Sequence, residues 1–215
     1  MKNIKEVLKD YVNTLYDYQK IRIALDNRIR SGNYAESEHV VFRNHAKRFE
    51  ELEKEMEKEV SKILKEFGIW NHWLKDVKGI GVRTGAILIS EIDIEKCDTV
   101  SGLWKYAGLN VDNGHAPKPI KGQKLYYNKY FRSKLLGVLG SSFLKCNSPY
   151  RKFYDDYKNR KESTGWGKSK GHRHNASIRY MIKMFLIDLY VAWRELKGLS
   201  VRKPYNEEYG KGHHE

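Results

Sequence analysis

A pair of glycines flanking one apolar residue, Gly79-Ile80-Gly81, is the part of this sequence best suited to holding a phosphate. Glycine has no Cβ and permits a tight turn, and the apolar run from Val82 to Ile92 predicts a helix directly after it. The N-terminus of a helix presents N–H groups and the positive end of the helix dipole to an anion. The segment therefore predicts a helix-hairpin-helix that grips a nucleic-acid backbone.

In this hairpin we expect a phosphate to meet the backbone amides near Gly79, and we expect Arg83 to add a charged contact. Small Gly85 and Ala86 would let the two helices approach closely where they cross. The alternative interpretation is an ordinary glycine turn between two core helices. The residues of the hairpin predicted to contact DNA are Lys78, Gly79, Ile80, Gly81, Arg83 and Thr84.

The formal net charge of +14 comes from one stretch of the chain. Residues 1–114 hold 19 Lys and Arg against 19 Asp and Glu, and residues 184–215 hold five against five. Residues 115–183 hold 17 basic residues against Asp155, Asp156 and Glu162. A surplus this localised favours a polyanionic partner and strongly salt-dependent binding. A generally Lys-rich proteome is the alternative, but it would have charged both flanks as well.

Within the basic stretch we predict a second set of DNA contacts and a role for some aromatic residues. Tyr126, Tyr127 and Tyr130 alternate with lysines, so some rings could stack on unpaired bases. The spacing of Tyr150, Tyr154 and their neighbours after Pro149 favours a helical core instead. The predicted contacts are Lys118, Lys121, Lys124, Lys129, Arg132, Lys168, Lys170 and Arg173.

The hydrophobic periodicity predicts a mainly α protein. Apolar residues from Ile4 to Ile29 follow a coiled-coil seam that only Arg22 interrupts, and Ser31 to Tyr34 break it. A second helix ending near Phe67 would complete an antiparallel helical hairpin over residues 1–67. Because two helices bury little surface, the hairpin should pack on a second copy of the chain, as a homodimer through these helices, or on the rest of the chain.

Residues 70–197 are predicted to form a helical domain that contains the helix-hairpin-helix. We expect a short helix stopped by Gly108, a basic loop over residues 110–123, and helical periodicity from Lys129 to Lys145. A flexible loop is predicted over residues 158–174, before a final helix from Ala176 to Leu196. Residues 198–215 would form a tail.

The residue patterns favour neither a metal site nor a bound cofactor. Ser141 and Ser142 lack evident His or Asp partners, and His115, His172 and His174 lack metal-ligand spacing. Gly165-x-Gly167-Lys168-Ser169 has the wrong spacing for a P-loop. Cys97 and Cys146 are expected to be reduced thiols. Without a long apolar run or a signal peptide, we expect a cytoplasmic, nucleoid-associated protein and no membrane association.

The order of these features resembles the C-terminal domain of insertion-sequence one-ten family transposases, the bridge recombinases. The resemblance covers roughly residues 70–197. It rests on the glycine hairpin, Ile89-Ser90-Glu91-Ile92, the Tyr106-Ala107-Gly108-Leu109 block, the basic loop and the closing helix. These transposases also carry a coiled coil before this domain, which is similar to residues 1–67. The resemblance implies a DNA-holding helical domain.

The chain departs from that family in two ways. The family has an N-terminal RuvC-like nuclease domain, and we expect no such domain before the helical hairpin here. Its nucleophilic serine follows the Ala-Gly-Leu block, where this chain has Asp112-Asn113-Gly114, and an amide cannot form the phosphoester link. We therefore expect DNA binding, duplex or branched, without catalytic residues. The alternatives are an active recombinase, a structured-RNA-binding protein, and a coiled-coil assembly partner.

Overall fold

The computed structural model describes residues 2–112, 114–167 and 169–202, and it confirms a mainly α protein. Within this part of the chain, the β pairing consists of an isolated bridge between Asp112 and His115. The chain divides into two compact units, Met1–Trp70 with Gly81–Glu91, and Asn71–Ile80 with Ile92–Glu215. The helices are α1 (Ile4–Ser31), α2 (Glu36–Leu64), α3 (Gly68–His72), α4 (Val82–Glu91), α5 (Val100–Tyr106), α6 (Lys129–Ser133), α7 (Gly140–Lys145), α8 (Arg151–Ser163) and α9 (Lys170–Leu196).

The predicted helical hairpin is confirmed as α1 and α2 of the first unit. The Asn3 side chain accepts a hydrogen bond from the Glu6 amide, and the Glu6 side chain accepts one from the Asn3 amide, so α1 begins with a capping box. Leu8, Val12 and Leu15 lie on the buried face of α1. Because this face is already covered within one chain, the homodimer through these helices stays a prediction.

Helix α4 belongs to the first unit, although the sequence prediction placed it in the second domain. It packs against both α1 and α2, and its Ala86, Ile87 and Leu88 are almost fully buried. Gly85 permits a close approach, since a Cβ at this position would lie 2.4 Å from the Trp70 ring. The first unit is therefore built from two separate stretches of sequence. A prediction that divides the chain into consecutive domains cannot reveal this arrangement.

An ionic cluster explains why Arg22 interrupts the apolar seam of α1. Its Nε donates to Oε1 of Glu53 at 2.6 Å, and Nη1 donates to Asp26 at 3.1 Å. Glu53 is 3% exposed, so the seam carries a buried carboxylate at this level in place of an apolar contact. The Arg83 guanidinium of α4 also reaches Glu53, at 3.4 Å, and thereby ties the three helices together.

The second unit is built around α9. Phe185 on α9 packs against the rings of Phe143 and Tyr150, with ring centroids 5.3 and 5.4 Å away. Near the C-terminus of α9, the buried Arg194 guanidinium donates to the carbonyls of Ile94 and Cys97 at 3.2 and 2.8 Å. These contacts hold the short segments before α5 against the long final helix.

The loop predicted over residues 158–174 is shorter than expected, because both flanking helices extend into it. Helix α8 runs to Ser163 and α9 begins at Lys170, so residues 164–169 make the connection. The Ser169 hydroxyl accepts from the His172 amide at 3.1 Å and caps α9. Gly165 and Gly167, which suggested the loop, lie in this connection, whereas the polar residues on either side of it are helical.

Two other features bear on the predicted elements. Leu74–Asp76, directly before the glycine turn, form a single 3₁₀ turn, where a helix-hairpin-helix requires a helix. The helix predicted over residues 129–145 is confirmed as α6 and α7 with a π-helical turn, Lys134–Leu139, between them.

Asn113, Lys168 and most of the predicted tail lie outside the described residues. No helix in the described part of the chain is long and apolar enough to cross a membrane.

Candidate nucleic-acid interface

The first glycine of the predicted hairpin makes the turn. Gly79 has φ +102°, a conformation that L side chains rarely adopt, and a Cβ there would lie 2.7 Å from the Phe143 ring. The Ile80 amide closes the turn on the Val77 carbonyl at 3.0 Å. The Ser142 hydroxyl donates to the Gly79 carbonyl at 2.7 Å. The glycine at position 79 is thus required by the fold of the second unit itself.

The second glycine, Gly81, is not required by packing or by backbone conformation. Its φ lies outside the left-handed region, and a Cβ there would meet no atom within 4 Å. Its carbonyl accepts the first helical hydrogen bond of α4, from Gly85 at 2.9 Å, which makes Gly81 the N-cap residue. The N–H groups in the first turn of a helix have no acceptor within that helix. Open space at Gly81 therefore allows an anion to approach them.

Arg83 has intramolecular partners, which the sequence alone did not reveal. Its Nη2 and Nε donate to Glu57 Oε2 at 2.8 and 3.0 Å, in addition to the contact with Glu53. The side chain is 26% exposed. A phosphate contact by Arg83 would have to compete with two carboxylates of α2, so its observed position favours a structural role within the first unit.

Two lysines of α2 lie near the beginning of α4 and were not predicted. Lys54, Lys58 and Val82 line a shallow surface depression together with Glu57 and Ser61. Lys54 and Lys58 are one helical turn apart, so they extend from the same face of α2. Their i, i+4 spacing is visible in the sequence, but the proximity of α4 is not.

The basic residues predicted in the second unit are distributed over three segments. Lys118, Lys121 and Lys124 are exposed in the connection before α6, where Lys129 is the first helical residue. The Arg132 guanidinium donates to the Pro117 carbonyl at 2.9 Å and lies 5.1 Å from the Tyr127 ring centroid. These contacts anchor the basic connection to α6.

Lys170 is exposed at the beginning of α9, and Arg173 is half-buried one turn later. The Arg173 guanidinium lies 3.8 Å from Glu162 and donates to the Gly167 carbonyl at 3.4 Å. It therefore holds the loop before α9. Of the predicted contacts in this part of the chain, Lys170 is the more accessible.

A cleft of about 1210 Å³ brings the two halves of the basic stretch together. Its lining includes Lys118 and Arg132 from the first half and Arg179 and Lys183 from α9. No Asp or Glu of the described chain is among the lining residues. The structure thus brings together two predicted cations and two that were not singled out.

Arg179 and Lys183 are half-buried cations on one face of α9. Burial, and then the neighbouring charge of Arg132, lowers the pKa of Arg179 to about 10. Burial, and then the charge of Arg179, lowers the pKa of Lys183 to about 8. Both therefore carry their charge at neutral pH, and an anion bound nearby would stabilise these charges. Their four-residue spacing was the available sequence signal.

The π-helical turn lies at the wall of this cleft. Leu136 and Gly137 of the turn line it, and a Cβ at Gly137 would meet no atom within 4 Å. Ser141, on the following helix, lines it as well. π-Helical turns occur frequently at functional sites, because they re-aim side chains along an otherwise regular helix. Among the described residues, no group of three or more His, Cys, Asp or Glu could hold a metal ion.

Comparison with known proteins leaves the family open. No protein-family model matches the chain, and no curated protein matches it. The resemblance to the transposase domain therefore stays a prediction.

Proposed function

We propose that this protein binds the phosphate backbone of DNA. The beginning of α4 would bind one part of the backbone, and the exposed basic residues of the second unit would bind another. The observation that carries the proposal is the open N-terminus of α4 at Gly81, where neither packing nor backbone conformation requires a glycine. An unobstructed N-cap lets a phosphate reach the amides of Val82 and Arg83 directly.

The charge distribution supports the same proposal. The formal surplus of 14 positive charges lies within residues 115–183, which belong to the second unit. Lysines and arginines on such a surface would release counterions from DNA without reading its sequence. The proposed relationship to the transposase C-terminal domain points to the same ligand. The proposal extends to branched DNA as a ligand and to a nucleoid-associated location of the protein.

The proposal is tested by placing a negative charge where the phosphate would bind. Asp is a favourable N-cap residue, so Gly81→Asp should fold at least as stably as the wild type. Its carboxylate would occupy the anion position and repel a phosphate. We predict that the affinity for duplex DNA, measured by fluorescence anisotropy, falls by about tenfold or more.

Two controls separate this effect from general changes. Gly81→Asn supplies a neutral N-cap of the same shape and should lose much less affinity. Asn13→Asp adds the same negative charge at an exposed position on α1 and should bind like the wild type. Equal binding by Gly81→Asp and Gly81→Asn would show that no phosphate approaches this helix N-terminus.

A further inference from the structure

Lys183 in the cleft of the second unit has no counter-charge within the described residues. Its ammonium lies 3.9 Å from the centroid of the Trp104 ring, and no ion pair or hydrogen bond joins it to the rest of the described chain. A half-buried ammonium has three donors to satisfy, and a cation–π contact satisfies none of them by hydrogen bonding. An anion in the cleft would supply the missing acceptors.

The neighbouring arginines are held in fixed positions, facing the same space. Arg179 donates to the carbonyls of Gly108 and Asn110 at 3.3 and 3.1 Å, and Arg132 donates to Pro117. These contacts use part of each guanidinium, which has five N–H donors in all. The cleft thus holds a cluster of positioned cations without a carboxylate among its lining residues.

An exposed indole also lines the cleft. Trp166 is 39% exposed, and its ring centroid lies 4.9 Å from that of His172 and 4.6 Å from the Lys161 ammonium, so a stacked base would replace one of these two contacts. It is carried by a tight connection in which Gly165 and Gly167 have φ +64° and +94°. Aromatic faces of this kind stack on the bases of single-stranded nucleic acid. The indole adds a surface for a flat, apolar group to the phosphate-binding cations.

The size of the cleft decides which form of nucleic acid it can take. Its volume of about 1210 Å³ is slightly above that of pockets for small organic ligands. A space of that size admits a few nucleotides of one strand, whereas a duplex is too wide to enter. A single strand also exposes the base faces that Trp166 requires.

We propose that this cleft binds an unpaired stretch of DNA, with a phosphate on Lys183 and Arg179 and a base stacked on Trp166. The inference rests on the proposed DNA binding and adds a second mode to it. The N-terminus of α4 would bind the backbone of a duplex, while the cleft would bind a displaced or unpaired strand. A free nucleotide or inorganic phosphate offers the same anionic group, so the experiment must separate these sources from a strand.

The experiment measures anisotropy of a labelled oligothymidylate of about 12 nucleotides and of a blunt duplex, with each variant of the full chain. Lys183→Met should weaken oligothymidylate binding by about tenfold and change duplex binding by less than about twofold. It should also raise the melting temperature, because it removes a half-buried charge. Lys47→Met removes an exposed lysine on α2, outside residues 115–183, and should leave both affinities unchanged.

Trp166 gives an independent test of the stacking step. Trp166→Ala should weaken oligothymidylate binding, and Trp166→Phe should restore most of it because a phenyl ring also stacks. Inorganic phosphate and thymidine monophosphate should compete only at concentrations far above that of the oligonucleotide. Competition by either at comparable concentration would overturn the assignment of a strand and identify a free-phosphate site.

The two proposals fail in different ways. If Lys183→Met leaves oligothymidylate affinity unchanged while Gly81→Asp loses duplex affinity, the cleft proposal is overturned and backbone binding stands. If the duplex does not bind at all, but oligothymidylate binds in a Lys183-dependent manner, the cleft proposal stands and the proposal of duplex binding at the N-terminus of α4 falls. Equal weakening of both ligands by Lys183→Met would also overturn a dedicated single-strand site.

Discussion

At the scale of single residues, the burial of Lys183 predicts that the proposed DNA binding depends on pH. Its pKa of about 8 lies below the ordinary value of 10.5, because burial and the Arg179 charge disfavour the ammonium. In the free protein the ammonium therefore loses its proton as the pH passes 8. A bound phosphate would favour the charged form and raise that pKa again.

We predict that oligothymidylate affinity falls by up to about tenfold between about pH 7 and pH 9, where most Lys183 becomes neutral. Lys183→Met should remove this part of the pH dependence, and anisotropy titrations of both proteins measure the difference. The variant keeps the other charged and titratable groups of the cleft, Lys118, Arg132, Arg179, His115, His172, Tyr157 and Tyr180. Identical pH profiles for the two proteins would exclude Lys183 as the coupled group.

At the scale of elements, the ionic cluster of the first unit decides how α4 is held. Glu53 on α2 accepts from Arg22 on α1 and from Arg83 on α4. Removing the shared carboxylate would leave two half-buried guanidinium groups with weaker partners. An arginine predicted to bind DNA is, in this arrangement, part of the contact between three helices.

We predict that Glu53→Gln lowers the free energy of unfolding by about 2 kcal/mol, since it removes the negative charge from a buried carboxylate. Glu59→Gln, which affects an exposed pair with Lys62, should change it by less than about 0.5 kcal/mol. Urea unfolding followed by circular dichroism measures both. Similar midpoints for the two variants would show that the cluster contributes little to holding the helices.

Helices with a continuous apolar face could be predicted from the sequence. The alternation of apolar residues determines α1, α2 and the later part of α9, because burial of one face fixes the period. The beginning of α9 was missed because Lys170 to His174 are polar and start a helix through the Ser169 cap. The grouping of α4 with α1 and α2 depends on partners that are distant in the sequence, such as Glu57 for Arg83 and Lys9 for Glu91, which local patterns do not specify.

The candidate site was only partly predictable for the same reason. Gly79 and Gly81 stand out in the sequence, but only the structure distinguishes the glycine that packs against Phe143 from the one in open space. Likewise, Arg179 and Lys183 have a visible four-residue spacing on α9. Their convergence with Lys118 and Arg132 in one cleft requires the tertiary fold.

At the scale of the whole molecule, the net positive charge comes from one part of the chain. The formal charges of residues 1–114 balance, and the excess lies within residues 115–183. Such a distribution is expected to drive association with DNA by release of counterions, largely independently of sequence. It also predicts that affinity depends on salt more strongly than on the identity of the bases.

The most direct test of the DNA-binding proposal is a fluorescence anisotropy titration of a linear duplex and a four-way junction of matched sequence, over a salt series. We predict binding to both at about 50 mM salt, and a loss of about a hundredfold or more in affinity by about 200 mM. Tighter binding to the junction would extend the proposal to branched DNA. Absence of binding to either DNA at low salt would contradict the central claim.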